Sequence, residues 1–152
     1  MLRISKIIDY GTLVLTHMAA CPERHFSAAD LAGALGLGRP TVSKVLKLLA
    51  RGQLVRSMRG ARGGYALCRP AGQISIAQVV DALEDQPFGL TECTATPGAC
   101  GFEAGCGIRD NWQRINAVVR RTLEDVSIAD MVRPVPLQWP GHRPAAVVRR
   151  LP

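Results

Sequence analysis

Ser27-Ala28-Ala29-Asp30-Leu31-Ala32-Gly33-Ala34-Leu35-Gly36-Leu37-Gly38-Arg39-Pro40-Thr41-Val42-Ser43-Lys44-Val45-Leu46-Lys47-Leu48-Leu49-Ala50-Arg51-Gly52 is the stretch that decides the fold. Ser27 can cap a helix and Asp30, three residues on, can reach back to it. Phe26 and Leu31 stand where a hydrophobic staple pairs its two residues. The spacing predicts a short helix from about Ala28 to Leu35. Gly36-Leu37-Gly38 breaks it, and Pro40 suits the first position of a second helix because its missing N–H has no helical partner there. That second helix runs through Arg51 to Gly52. Val42, Val45, Leu46 and Leu49 follow the i, i+3, i+4, i+7 rule and are assigned to the core. Lys44, Lys47 and Arg51 line the other side, with Thr41 and Ser43 beside them.

Working outward, the period changes after Gly52. Leu54-Val55-Arg56-Ser57-Met58 and Gly64-Tyr65-Ala66-Leu67-Cys68 read as two strands joined by the glycine-rich, basic tip Arg59-Gly60-Ala61-Arg62-Gly63. Ser75 with Gln78 forms a second capping box, and Ile74 with Val79 its staple. The apolar stripe Ile76, Val79, Val80, Leu83 then fades by Pro87. On the N-terminal side, Ile4, Ile7, Ile8, Leu15, Met18 and Ala19 predict an amphipathic helix ending near Cys21-Pro22, because proline disfavours helix in the residue before it.

Residues 87–107 read as a loop rich in glycine, with Cys93, Cys100 and Cys106 inside it. Ile108, Trp112, Ile115, Val119, Leu123 and Val126 follow at alternating spacings of three and four, which suits a seam against another helix. The expected organisation is a DNA-binding unit over 1–86, a cysteine loop over 87–107, a long helix and its end over 108–132, and a flexible Pro/Arg-rich tail over 133–152.

Charge is distributed unevenly. The chain of 152 residues carries a formal net charge of +7. Residues 1–76 carry 11 Lys/Arg against 3 Asp/Glu, whereas 77–132 carry 4 against 9. A polyanionic partner is therefore expected for the first half only. Arg3, Lys6 and Asp9 interrupt the first apolar stretch, so neither a secretory signal nor a membrane span is expected, and the protein is assigned to the cytoplasm. In that compartment five cysteines read as thiols or metal ligands in preference to disulfides. No nucleophile–base constellation or phosphate loop is present, and the glycines at 60–64 lie in a hairpin tip instead of before a helix. Neither enzymatic activity nor a small-molecule substrate is expected.

Two short helices, a glycine turn and a basic hairpin make the order of a winged helix-turn-helix, in a chain that is mainly α with a small β-hairpin wing. A helix fits the major groove of double-stranded DNA if its exposed face carries donors. The expected DNA-binding residues are Arg39, Thr41, Ser43, Lys44 and Lys47 on the second helix, with Arg56, Arg59 and Arg62 on the wing. The arginines at the tip suit phosphates or the minor groove.

The three loop cysteines admit several chemistries. Thiolates favour iron–sulfur clusters and zinc alike, neither interval is the tight C-x-x-C of a zinc finger, and three ligands are one short of four. Unliganded thiols, a zinc site, a redox disulfide and a cluster all stand open on spacing alone. Cys21, at a helix end, and Cys68, at a strand end, read as small structural thiols, and His17 as a packed histidine.

The start Leu2-Arg3-Ile4-Ser5-Lys6-Ile7-Ile8-Asp9-Tyr10, the wing Ser57-Met58-Arg59-Gly60-Ala61-Arg62-Gly63-Gly64-Tyr65-Ala66-Leu67 and the three-cysteine loop together resemble the Rrf2 family of regulators over about residues 1–132. The likeness looks nearest to its SUF-system iron–sulfur assembly regulators. It implies a homodimer built on the long C-terminal helix, about Ile108 to Val126, and a repressor of iron–sulfur assembly genes. It also implies a cluster, [2Fe–2S] in preference to [4Fe–4S], held by Cys93, Cys100 and Cys106. In the IscR branch a histidine three residues after the last cysteine completes the ligands; that position is Arg109 here. In the NsrR branch an aspartate of the partner's first helix does so, and Asp9 matches it. Glu92 and Glu103 are local substitutes. Cys93 and Cys100 are separated by six residues where the family usually has five. The competing reading is a winged-helix repressor whose cysteines sense oxidants or hold zinc.

Overall fold

Three capped helices and a hairpin converge on one aliphatic core in the computed structural model, which describes residues 3–60 and 63–132. The expected tail over 133–152 and Arg62 of the wing lie outside the described residues. Helix α1 spans Lys6–Ala20, α2 Ala28–Leu35 and α3 Arg39–Arg51. Strands β1 (Val55–Met58) and β2 (Gly64–Leu67) pair antiparallel, with Val55 opposite Leu67 and Met58 opposite Gly64. A 3₁₀ turn over Ala71–Gln73 leads into α4 (Ile76–Leu83); the short α5 (Glu92–Ala95), α6 (Arg109–Asp125) and α7 (Ile128–Val132) follow.

The local signals act as the chemistry requires. The Ser27 hydroxyl accepts from the Asp30 amide at 3.0 Å while the Asp30 carboxylate accepts from the Ser27 amide at 3.0 Å. Ser75 and Gln78 make the same reciprocal box at the start of α4. Gly36 ends α2 with φ 65°, a left-handed cap that glycine adopts without strain. Helix α3 begins at Arg39, one residue before the expected proline start, with Gly38 as its N-cap.

Val42, Val45, Leu46 and Leu49 of α3 are fully buried, as their spacing predicts. They meet Val14, Leu15 and Met18 of α1, Leu31 of α2, Leu54, and Ile74, Val79 and Leu83 around α4 in a single core. Each buried aliphatic side chain contributes roughly 1.5–3 kcal/mol over an exposed one. Helices α3 and α4 touch where Gly52 meets Ala82: a Cβ on Gly52 would lie 2.5 Å from the Ala82 Cβ. Helix α7 returns to the same core. Ile128 is fully buried, its amide donates to the Ile74 carbonyl at 2.8 Å, and the Ile76 amide donates to the Val126 carbonyl at 2.8 Å.

Several sequence expectations need correction. Ile4 is exposed, because α1 starts only at Lys6 and the chain ahead of it is extended along the surface. The 87–107 stretch is not wholly irregular: α5 and a 3₁₀ turn over Glu103–Gly105 interrupt it. Cys21 and Cys68 are exposed thiols. Cys21 sits at the C-cap of α1 as the chain turns into Pro22, and β2 stops at Leu67, so the alternation that would carry Cys68 to the side of Ala66 ends first. His17 is half-buried and packs edge-on against Phe26, with ring centroids 5.4 Å apart.

Candidate nucleic-acid interface and cysteine loop

Helix α3 buries one side so completely that its other side is left to solvent. Arg39, Lys44, Lys47 and Arg51 are exposed there, and Thr41 and Ser43 are half-buried at its margin. On the wing, Arg56 and Arg59 are exposed. The tip closes through the Gly63 amide, which donates to the Gly60 carbonyl at 2.8 Å, and Gly60 takes φ 111°, where L side chains are rarely found. The wing is fixed to the helical body by a pairing that sequence reasoning missed. The Phe26 amide donates to the Tyr65 carbonyl at 3.0 Å, and the Tyr65 amide donates back at 2.8 Å. This bridge joins β2 to the residue before the α2 cap. Phe26 is itself buried, with the Arg24 guanidinium 4.9 Å over its ring.

The loop cysteines and the carboxylates considered beside them lie on other elements, outside α3 and the wing. Thr91 caps α5, its amide donating to the Thr94 hydroxyl at 2.9 Å, and the Thr91 hydroxyl lies 3.3 Å from the Cys93 sulfur. Cys93 is buried; Cys100 and Cys106 are half-buried; all three are free thiols. Among the described residues no three His, Cys, Asp or Glu side chains gather into a metal-holding group, so the three thiols share a loop without converging on one point. Asp9 is exposed on the first turn of α1, and Glu92 is exposed on α5. Glu103 is 13% exposed and is engaged by Arg109, whose Nε donates to Oε1 at 3.0 Å. Arg109 therefore pairs with a carboxylate at the position where a ligand histidine was considered.

Helix α6 carries no fully buried residue. Its apolar positions split into two sets: Val119 and Leu123 are half-buried, while Ile108, Trp112, Ile115 and Val118 are exposed, Val118 to 61%. Two polar ties hold the helix. The Leu90 amide donates to the Asn116 side-chain oxygen at 3.0 Å. The Arg120 guanidinium grips the Asp81 carboxylate with two bonds of 2.6 and 2.7 Å and also donates to Glu124 at 2.8 Å. Those hydrogen bonds, to Asp81 first, raise the Arg120 pKa above its ordinary value. Arg120 also lies 5.7 Å over the Phe88 ring. The i, i+4 spacing of Arg120 and Glu124 is visible in the sequence; the tie to Asp81 is not. A cavity of about 470 Å³ opens beside these ties, lined by Ile4, Ile8, Phe88, Leu90, Val119 and Leu123 among others.

A family model described as "Rrf2: Iron-dependent Transcriptional regulator" matches residues 4–134. Protein aau3 of Rhizobium meliloti (strain 1021) is 30% identical over 136 residues, covering 89% of this chain and 88% of that protein. The structure of CymR (YrzC), the global cysteine regulator of B. subtilis, is similar at 25% identity and a TM-score of 0.68, over 87% of this chain and 97% of that one. T. potens IscR is similar at 25% identity and a TM-score of 0.67, over 86% of each chain. Among the described residues no helix is long and apolar enough to cross a membrane.

Proposed function

The chain belongs to the Rrf2 family of transcriptional regulators, and from that premise we propose that it is a homodimeric DNA-binding repressor that reads iron–sulfur status through Cys93, Cys100 and Cys106. The observation that carries the reading is the concentration of three free thiols in one loop gripped by α6, in a chain whose family is described as iron-dependent. Three thiolates of a glycine-rich loop are a donor set that suits an iron–sulfur cluster, and Asp9, exposed on α1, is the fourth ligand we assign, reaching from the partner subunit. A bound cluster would supply a redox-sensitive tie among those ligands.

The remaining work falls to side chains. Lys44, Lys47, Arg39 and Arg51 on α3, with Arg56 and Arg59 on the wing, are exposed and are assigned to the phosphate backbone, and Thr41 and Ser43, half-buried at the margin of α3, are assigned to the base edges. Arg62 joins the wing set as a proposal, since it lies outside the described residues. The bare face of α6, with Trp112, Ile115 and Val118, is assigned to the second protomer. A contiguous route then runs from loop to DNA: Leu90 to Asn116, Arg120 to Asp81, and α4 to α3 at Ala82 and Gly52. A dimer sets its two recognition helices about one helical turn of DNA apart, so a small shift along this route changes affinity steeply. Occupied and empty loops would be two states that a ligand biases. The expected output is repression of iron–sulfur assembly genes.

A second reading is favoured by two observations: the thiols do not converge on one point, and the similar B. subtilis protein is a cysteine regulator. In it the same cysteines act as an oxidant switch or hold zinc. Anaerobic purification with a visible spectrum and iron, sulfide and zinc analysis decides between them. A brown protein with matching iron and sulfide, lost in Cys100→Ala, supports the cluster. A colourless protein that resists anaerobic reconstitution refutes it and leaves the DNA-binding assignment standing.

A further inference from the structure

We propose that Glu103 is a positioning residue that holds the cysteine loop closed before anything binds to it, with Arg109 as its counter-ion. The inference rests on the cysteine loop being the sensory element, and it is independent of which chemistry the thiols perform.

The geometry centres on one carboxylate placed midway between Cys100 and Cys106. Its Oε2 accepts the Gly98 amide at 2.6 Å. Its Oε1 accepts Arg109 Nε at 3.0 Å and lies 3.0 Å from a terminal guanidinium nitrogen of the same arginine. Gly98 precedes Cys100 by two residues and Arg109 follows Cys106 by three, so a single side chain ties the loop together from both sides of the two cysteines. The backbone closes the same circuit: the Glu103 amide donates to the Cys100 carbonyl at 3.1 Å, the Cys106 amide to the Glu103 carbonyl at 3.4 Å, and the Arg109 amide to the Cys106 carbonyl at 3.2 Å. Gly98 holds φ 85° with open space around it, so the turn requires the glycine backbone and not the room. Charge-assisted hydrogen bonds of this kind are shorter and about twice as strong as neutral ones. At 13% exposure the Glu103 side chain is also the least solvated part of the arrangement, against 37% for Arg109.

Two consequences follow. Both oxygens of Glu103 are engaged, so it is unsuited to serve as the local fourth ligand: ligation would break the bonds to Gly98 and Arg109 together. And Arg109, at the position where one branch of the family has a ligand histidine, acts here by stiffening the loop. The restraint on the segment that carries Cys100 and Cys106 is supplied in advance by the chain, which leaves less loop freedom to be lost when anything binds there.

The test uses the full-length apo protein under reducing conditions. Pulsed iodoacetamide labelling, read by peptide mass spectrometry, gives a rate for each cysteine, with the exposed Cys21 and Cys68 as internal references. Glu103→Ala is expected to raise the rates at Cys100 and Cys106 several-fold and to raise hydrogen exchange at the Gly98 amide, while Cys21 and Cys68 keep their rates. Glu103→Gln retains an oxygen for Gly98 but loses the ion pair, and is expected to fall between, together with Arg109→Ala. Unchanged labelling at Cys100 and Cys106 in folded Glu103→Ala overturns the proposal. If the protein binds a cluster, freshly loaded Glu103→Gln should keep the wild-type visible spectrum with a shorter lifetime; an altered spectrum would make Glu103 a ligand and overturn the positioning role. A wild type that stays colourless after anaerobic reconstitution refutes the cluster reading, while the labelling result stands or falls by itself.

Discussion

Lys47→Ala isolates the contact on which the DNA-binding assignment depends. Lys47 is exposed on α3, opposite the buried Val42, Val45, Leu46 and Leu49, so its removal leaves the core untouched, and alanine is the best helix former. The fold should keep its stability to within about 0.5 kcal/mol. Each phosphate neutralised on B-DNA contributes about −0.9 to the slope of log affinity against log salt. A dimer presents one Lys47 to each half-site, so the variant should be shallower by about 1.8. Between about 50 and 200 mM salt, a fourfold change, that difference is worth about 12-fold: the wild type's advantage at low salt should be about 12 times its advantage at high salt. Fluorescence anisotropy over a salt series, with a duplex selected from randomised DNA and with a scrambled duplex, measures both slopes. The loss should be similar on the two duplexes, because a phosphate contact is blind to sequence. Equal slopes would refute the phosphate contact. A loss of preference at one base pair with an unchanged slope would make Lys47 a base reader.

Other perturbations test other links. Asp9→Ala should leave the fold and the apo dimer intact and shorten the lifetime of the visible spectrum of anaerobically loaded protein; an unchanged lifetime removes Asp9 from the ligands. Gly52→Ala has an alanine-compatible φ of −75° but places a Cβ 2.5 Å from that of Ala82. Separating α3 from α4 should cost about 1–3 kcal/mol, against about 0.4–1 kcal/mol gained from a stiffer unfolded chain. A urea midpoint at or above the wild type's would contradict the close contact. Asp30, whose pKa is lowered below its ordinary 3.8 by the backbone and side-chain hydrogen bonds of Ser27, gives the stability curve an acid limb. A depressed carboxylate contributes fully above 3.8 and loses that contribution as pH falls through its folded value. The stability difference between wild type and Asp30→Asn should therefore be constant at neutral pH and shrink below 3.8; a difference that grows on acidification would reverse the assigned sign.

What was legible in the sequence was local. The boxes at Ser27 and Ser75, the left-handed stop at Gly36 and the buried row on α3 each depend on residues a turn apart, and each is where the spacing places it. What was not legible depends on residues far apart or on very short elements. Nothing near Phe26 announces its pairing with Tyr65, and nothing near Asp81 announces Arg120. The four-residue α5 is too short to show a period. The apolar rhythm of α6 marks positions that avoid water without saying what covers them: Val119 and Leu123 lean on the body, and Trp112 and Ile115 do not. Cys21 and Cys68 read as small structural thiols because thiols are usually buried, but both are exposed, one at the C-cap of α1 and the other just past the end of β2. Of the candidate site, the exposure of the basic residues on α3 was legible from the buried row opposite them; the clamp of Glu103 on Gly98 and Arg109 was not, since nothing in the spacing distinguishes it from any acidic loop residue.

Helix α6 is pinned along its length, by Arg109 at its start, by Asn116 at its middle and by the Val126 and Ile128 backbone bonds after its finish. That governs where the gene can tolerate insertions and deletions. One residue added within α6 would turn everything beyond it by about 100°, swinging Arg120 away from Asp81 and Trp112 away from the face it shares with Val118. A residue added between Thr96 and Gly98, past the end of α5, would leave the register of every helix unchanged, because it falls in a turn whose glycine has free space around it. Length variation should accumulate there across relatives while the helix keeps its register. The six-residue interval from Cys93 to Cys100 contains that permissive turn.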